Sequence, residues 1–380
     1  MNIIYFANPN SIHDIKWISY FSAKPENSCY IIPQKHQLES ASKEIHHRLG
    51  EANIHYVPPL GVFSIPRFFY TLRAFRQLKK IIKDKNIDII HVLYGEPNAL
   101  WALGKNYLGV KFFLTTRGTD VLVTIPDHFR NFSIQNLYVR CLYKKAFSYY
   151  DRIISTSLKQ IDSIKKHFKI KCEPVIIRTG IDIPNADEYS DSLLPDDLKK
   201  RNFILMPRKM SAIYNHEFTI SAFQFLPLEI KEDYVFVFLD ADSEKRDYVQ
   251  LIQELIAEQT DTEILFLPSQ NQNELYTLYA YAKAVIMNPK SDGAPVSAME
   301  AMAFKKPLIL GPLEYDEDLF GKGVMRLSSW DEKELANKIR MAVTEEVEGM
   351  VNAAYERVLN LGNRSNEMSK LEKLYQEELK

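Results

Sequence analysis

The stretch Ser291-Asp292-Gly293-Ala294-Pro295-Val296-Ser297-Ala298-Met299-Glu300-Ala301-Met302-Ala303 sets two carboxylates eight positions apart around a Gly and a Pro. Before it, Ala284-Val285-Ile286-Met287 reads as the end of a buried strand, and 288–293 is rich in turn formers. A helix is predicted with Pro295 at its first position, where a missing N–H costs nothing, and with good helix formers from Val296 to Phe304 before Lys306-Pro307 stops it. Free N–H groups near residues 295 to 297 then point out of the loop and, with the positive end of the helix dipole, attract phosphate. Gly293 removes a side chain where a ligand must approach the backbone. Asp292 before the helix and Glu300 two turns into it can face one cleft at different depths. That layout suits a ligand with hydroxyls at both ends and phosphate between, which is the form of a nucleotide sugar.

The competing reading makes the segment an amphipathic helix after a strand, with Asp292 an ordinary turn residue and Glu300 on a solvated face. Glu300, however, is flanked by Met299, Ala301 and Met302, and a carboxylate in such a run needs a partner.

The segment resembles the E-x7-E signature of the retaining glycosyltransferases of family 4, which have the GT-B fold, with Asp292 in place of the first Glu. Both Asp-Gly-x-Pro and Glu-Ala-Met-Ala fall in register. The resemblance implies that Asp292 contacts donor-sugar hydroxyls and that Gly293, Ala294, Pro295, Val296 and Ser297 present backbone to sugar and phosphate. It also implies that Glu300 holds the ribose.

A chain of 380 residues with 46% hydrophobic content is long enough for two domains. Residues 1–180 carry 26 Lys and Arg against 13 Asp and Glu, the remainder 22 against 36, so a net charge of −1 joins a basic half to an acidic half. The division falls at the polar, acidic stretch Ile183 to Ser192. Strands are expected near 2–6, 28–32, 87–92, 111–115, 152–155 and 174–177, then near 203–206, 234–239, 263–266, 284–287, 307–310 and 323–326, with helices between. This alternation predicts an α/β protein of two Rossmann-like doubly wound domains facing an interdomain cleft. The expected organisation is an N-terminal acceptor-binding domain 1–182, a linker 183–200, a C-terminal nucleotide-sugar-binding domain 201–362, and a helix 363–380 returning to the first domain. No apolar run is long enough to cross a bilayer, and the opening Met1 to Phe6 reads as a strand rather than a leader. Cys29, Cys141 and Cys172 lack metal spacing and fit a reduced compartment, so a cytoplasmic location is expected.

Further segments extend the resemblance. Ser11-Ile12-His13-Asp14-Ile15-Lys16-Trp17, after strand one, resembles a loop and helix of the first domain, which puts Asn10, Ser11 and His13 on the acceptor side. Asp88-Ile89-Ile90-His91 and Thr116-Arg117-Gly118-Thr119-Asp120-Val121 resemble later strand ends, with Asp120 and Arg117 implied to approach the sugar. Relatives usually have His where Arg117 stands, so a neutral imidazole gives way to a permanent cation with a rigid donor fork. The alternative for Arg117 is a structural ion pair with Asp120 or another acid. Arg178-Thr179-Gly180-Ile181-Asp182 resembles the element that closes the first domain. Phe203-Ile204-Leu205-Met206-Pro207-Arg208 resembles the strand whose Arg grips the diphosphate, a task suited to a bidentate cation. A Lys normally follows five positions later; Ile213 stands there, leaving Lys209 as the substitute or as a solvated loop residue.

Asp240-Ala241-Asp242 at a strand end could supply oxygen ligands to a metal, but turn chemistry is the preferred reading and no metal is expected. Pro66 to Lys83 places Phe68, Leu72, Phe75, Leu78 and Ile82 at helical spacing, with Arg67, Arg73, Arg76, Lys80 and Lys83 off that stripe. The stripe packs on the first sheet, and the cations can still reach an anionic membrane. No recognition motif for nucleic acid accompanies the charge.

Together these features predict a retaining, metal-independent hexosyltransferase that uses a nucleotide diphosphate sugar of UDP or GDP type and no cofactor. The acceptor is a saccharide or lipid-linked saccharide, in surface polysaccharide or glycolipid synthesis. The alternatives are a non-catalytic GT-B partner of a glycosyltransferase assembly and a GT-B nucleotide-sugar epimerase.

Overall fold

The computed structural model describes residues 1–39, 49–60, 68–130, 133–239, 246–292 and 294–380. The chain divides into two compact units, Met1–Thr179 with Ser365–Lys380, and Gly180–Arg364.

The first unit is built on a parallel seven-stranded sheet in the order β3-β2-β1-β4-β5-β6-β7. Its strands are β1 Asn2–Phe6, β2 Ser28–Ile32, β3 Ile54–Tyr56, β4 Ile89–Val92, β5 Lys111–Thr116, β6 Arg152–Ser155 and β7 Val175–Ile176. Strands covered on both faces read as continuous apolar runs. In β1, Ile3 and Tyr5 enter one core while Ile4 and Phe6 enter the other, the period-two alternation of a strand. The helix Arg364–Leu379 sends Met368, Leu371 and Tyr375 into the first of these cores. Its Glu367 accepts the Arg178 N–H at 2.8 Å, and Glu372 meets Lys24 at 2.6 Å.

The second unit repeats the plan with six parallel strands in the order β10-β9-β8-β11-β12-β13. These are β8 Asn202–Lys209, β9 Tyr234–Leu239, β10 Ile264–Leu267, β11 Ala284–Met287, β12 Leu308–Leu310 and β13 Met325–Arg326. Along β9, Val235, Val237 and Leu239 face one core, Phe236 and Phe238 the other. The polar stretch 183–200 forms three short 3-10 turns and buries Leu194 and Leu198 in this unit's core. Gly180, at φ 64°, is followed by Ile181, whose N–H donates to the Gly362 carbonyl at 2.8 Å. A Cβ at Gly180 would lie 2.7 Å from the Arg364 backbone, so only glycine fits.

The helix Phe68–Asp84 buries Thr71, Ala74, Leu78 and Ile82 and leaves Leu72 only partly covered. Leu78 and Ile82 are buried as expected and Phe75 packs against the same core, whereas Thr71 and Ala74 take the inward place expected of Leu72. Arg73, Arg76, Lys80 and Lys83 are exposed, whereas Lys79 bends back to the Leu108 carbonyl at 2.6 Å. Pro66 and Arg67 lie outside the described residues. Among the described residues no helix is long and apolar enough to cross a membrane.

Candidate functional site

In the second sheet the strand order reverses at β8, which pairs with β9 on one side and β11 on the other. Ligands of open parallel sheets bind beyond the carboxyl ends of the strands at such a reversal. The loops after β8 and β11 flank that point and are joined by the Lys290 N–H to the Ile213 carbonyl at 2.7 Å.

The β8 register runs regularly to Met206 opposite Phe238, then jumps so that Lys209 faces Leu239. The bulge takes up Pro207, which has no N–H for the ladder, and re-aims Arg208. The Arg208 guanidinium donates to Ser297 Oγ at 3.2 Å and Asp292 Oδ2 at 3.3 Å, and its carbon lies 4.3 Å from the Tyr214 ring centroid. The pair is partly shielded, with Arg208 and Asp292 side chains 21% and 17% exposed. One fork thus spans Asp292 in the loop before the helix and the second residue within the helix. Lys209 is exposed at the strand end, and Gly293 lies outside the described residues.

The helix runs Val296–Ala303, starting one position later than expected, with Pro295, at ψ 121°, as its cap. Its first internal bonds are from the Ala298 and Met299 N–H groups to the Pro295 carbonyl, at 3.2 and 3.3 Å. The Val296 and Ser297 N–H groups precede these, where a helix leaves donors for a ligand. Ala298, Met299, Ala301 and Met302 are fully buried and hold the helix against the sheet. Ala294 is half-buried beside this start. Glu300 is 7% exposed, on the turn that faces Tyr276, whose hydroxyl donates to Glu300 Oε1 at 3.5 Å. Tyr279, one turn further along the same helix, donates to the Ser297 carbonyl at 3.0 Å. Burial first, then the Glu300 carboxylate, push both phenols above their ordinary range. Burial and Asp292 do the same to Tyr315.

Sequence reasoning passed over Tyr214, Tyr276, Tyr279 and Tyr315. The signal for Tyr276 and Tyr279 was their spacing on the helix Gln272–Tyr281 that precedes β11. His216, which opens the helix after the β8 loop, is fully buried, and burial brings its imidazole down to about 4 despite the raising effect of the Arg208 and Ser211 backbone. Asp240 and Asp242 lie outside the described residues.

In the first unit, Ser11 caps the helix Ile12–Ser22 by accepting the Asp14 N–H at 3.2 Å, and Asn10 Nδ2 donates to the Gln37 carbonyl at 3.0 Å. His13 is exposed on the first turn. Arg117 donates from Nη2 to Asp14 at 3.2 Å, from Nη1 to Thr179 at 3.0 Å and from Nε to the Leu93 carbonyl at 3.2 Å. Its guanidinium carbon lies 4.6 Å from the Trp17 ring centroid. Asp120 accepts the N–H groups of Gly95 at 2.8 Å, Gly118 at 3.0 Å and Val121 at 3.0 Å, and also that of Arg117. Burial nonetheless pushes the Asp120 carboxyl up. Arg117 therefore ties the start of the helix Ile12–Ser22, through its ion-pair partner Asp14, to the segments after β4, β5 and β7, and Asp120 shapes the β5 loop. His91 contacts Thr115 Oγ1 at 2.7 Å and the Tyr375 hydroxyl, and burial with nearby Arg117 holds it neutral, well below its ordinary range.

The family model described as Glycosyltransferase Family 4 matches residues 31–184, and that described as Glycosyl transferases group 1 matches residues 195–357. The chain is 24% identical over 216 residues to the O-antigen chain mannosyltransferase RfbU of Salmonella typhimurium, covering 57% of this chain and 56% of that protein. It is 24% identical over 260 residues to an uncharacterized glycosyltransferase of Methanocaldococcus jannaschii, covering 67% and 64%. The matches thus span only between half and two thirds of these relatives. In fold it is similar to a glycosyltransferase from Rickettsia africae, with TM-score 0.77 and 18% identity over 100% of this chain and 98% of that one. Anabaena HepE, solved in complex with UDP, gives 0.76 and 14% over 99% of both. Two glycosyltransferase models match successive stretches of the chain over its two parallel sheets, and the chain has the GT-B fold.

Proposed function

We propose that this protein transfers a hexosyl unit, with retention of configuration, from a nucleotide diphosphate sugar to a saccharide or lipid-linked saccharide in surface polysaccharide or glycolipid synthesis. The observation that carries the proposal is the Arg208 fork, which joins Asp292 to Ser297 at a helix start, with Glu300 buried two turns along. In this reading the diphosphate displaces the Ser297 contact and takes the guanidinium and the Val296 and Ser297 N–H groups, which stabilise its departure. Asp292 orients the sugar, and Glu300, backed by Tyr276, receives the ribose hydroxyls. These donors supply the charge stabilisation that a metal would otherwise provide, so the reaction proceeds without one. Asn10, Ser11 and His13 form the acceptor side, on a segment that Arg117 holds through Asp14. The mannosyl transfer of the Salmonella relative and the UDP complex of the Anabaena protein support a nucleotide-sugar donor of UDP or GDP type.

Release of nucleoside diphosphate from a panel of UDP and GDP sugars tests the reading. Wild-type protein should turn over at least one donor, and a Glu300→Ala, Arg208→Ala double variant should not. Equal rates in the two would refute catalysis at this site. A second reading, a non-catalytic GT-B partner that binds sugar without turnover, draws on Ile213, which is 42% exposed at the position where the resemblance implies a Lys. It predicts donor binding by calorimetry with no release by either protein.

A further inference from the structure

The first unit holds a second concentration of functional groups, remote in sequence from Arg208 and Glu300. A cavity of about 690 Å³ opens among the helices Ile125–Arg130, Ile134–Phe147 and Leu158–His167. Its ionisable wall is one-sided, with Arg130, Arg140, Lys144, Lys159, Lys166 and His167 against the single acid Asp162. Helical periodicity builds this wall, because Arg140 and Lys144 lie one turn apart on one helix and Lys159 and Lys166 two turns apart on another. Arg130 pairs with Asp127 at 2.9 Å, whereas Lys144 and Lys166 have no acidic partner among the described residues. Between the stripes the floor is apolar, formed by Leu122, Pro126 and Phe129. The Arg140 guanidinium carbon and Lys144 Nζ lie 5.0 and 5.8 Å from the Phe129 ring centroid. Cations gathered over an aromatic floor match an anionic head group joined to an apolar stem. The exposed Val123, Leu137 and Leu158 nearby, 46%, 56% and 46% exposed, extend that apolar character outward. By contrast, the membrane contact expected from sequence, the basic face of Phe68–Asp84, presents Arg73, Arg76, Lys80 and Lys83 on an outward helix surface.

We propose that this cavity binds the phosphate head group of an anionic membrane lipid, the cations meeting the phosphate oxygens and Phe129 meeting the first carbons of the lipid. The inference stands apart from the transferase reading, since no residue is shared with the donor site. Sedimentation of the full chain with phosphatidylcholine vesicles, with and without phosphatidic acid, tests it. Binding should require phosphatidic acid. It should fall on the order of a hundred-fold in an Arg140→Gln, Lys144→Gln, Lys166→Gln variant, at about fivefold for each charge lost near the surface. An equal-charge control, Arg73→Gln, Arg76→Gln, Lys80→Gln, should lose no more than a few-fold. Lys166 is exposed, so Lys166→Glu alone keeps the test open if the triple variant unfolds, and it should weaken binding in the same direction. Unchanged binding by the cavity variants, or an equal loss in the control, would overturn the proposal. So would tighter binding to a single-stranded RNA oligonucleotide than to the vesicles.

Discussion

Replacing Arg208 with Ala should separate structural from chemical roles, because the structure sets very different magnitudes for the two. As a fold contact, the residue contributes one ion pair to Asp292 at 3.3 Å between side chains 21% and 17% exposed, plus a bond to Ser297. Partly solvated pairs of this kind contribute about 1 kcal/mol or less. For a unit of this size that corresponds to a Tm decrease of roughly 2–4 °C. As the cation that receives a departing diphosphate, the same group should matter far more. Loss of one preorganised donor to a developing anion costs about 100- to 1,000-fold in kcat, or roughly 3–4 kcal/mol. Arg208→Lys keeps the charge but cannot reach Asp292 and Ser297 with one rigid fork or stack on Tyr214 in the same way, so its rate should fall between the two. Steady-state nucleoside diphosphate release, with kcat and KM resolved separately, and thermal melting of the same samples provide the comparison. A rate for Arg208→Ala within about threefold of wild type would refute the diphosphate role, since no donor in the transition state would have been removed. So would an activity loss that simply tracks a collapse in Tm.

Other expected outcomes follow from burial. His216 titrates near 4 in the folded chain and near 6.5 when unfolded, so the unfolded state binds the extra proton between those values. The stability from keeping it neutral is complete above pH 6.5 and is lost as pH falls toward 4, about 3 kcal/mol in all. Acid unfolding of His216→Leu should lack this component, and an identical pH profile would contradict the assignment. Arg117→Met leaves Asp14 buried without its ion-pair partner, a change that costs roughly 3–5 kcal/mol, measurable by urea unfolding. A cost below about 1 kcal/mol would show that the clamp is dispensable. Leu371→Ala in the C-terminal helix opens a cavity in the first unit's core and should cost about 2–5 kcal/mol, with proteolysis of that unit accelerated. Protection equal to wild type would mean that the helix does not stabilise the unit.

Most strands were legible because parallel strands covered on both faces must be apolar throughout, as Ile3 to Phe6 and Val235 to Leu239 are. Ile54–Tyr56 was missed for a physical reason. It is a three-residue edge strand with one exposed position, closed by Val57-Pro58-Pro59, so it carries neither a long run nor a clear alternation. The reading of β8 stopped at Met206 because Pro207 ordinarily ends a ladder, whereas a bulge carries the strand on to Lys209 and turns Arg208 toward Asp292. That contact joins residues 84 positions apart, and no local pattern encodes it. For Arg117 the alternative reading, an ion pair with Asp120 or another acid, left the acid open. Asp120 collects backbone N–H groups from its own loop and from Gly95, and the acid that pairs with Arg117 is Asp14, brought near by the strand order. The tyrosines around Glu300 escaped notice because aromatic residues at helical spacing ordinarily mark core.

The most direct test of the central claim is a crystal structure of the protein soaked in turn with UDP and GDP. One nucleotide should order with its ribose hydroxyls on the Glu300 carboxylate and its phosphates on Arg208 and the Val296 and Ser297 N–H groups. A nucleotide ordered elsewhere, or ordered in the same pose after Glu300→Ala and Arg208→Ala, would contradict the account.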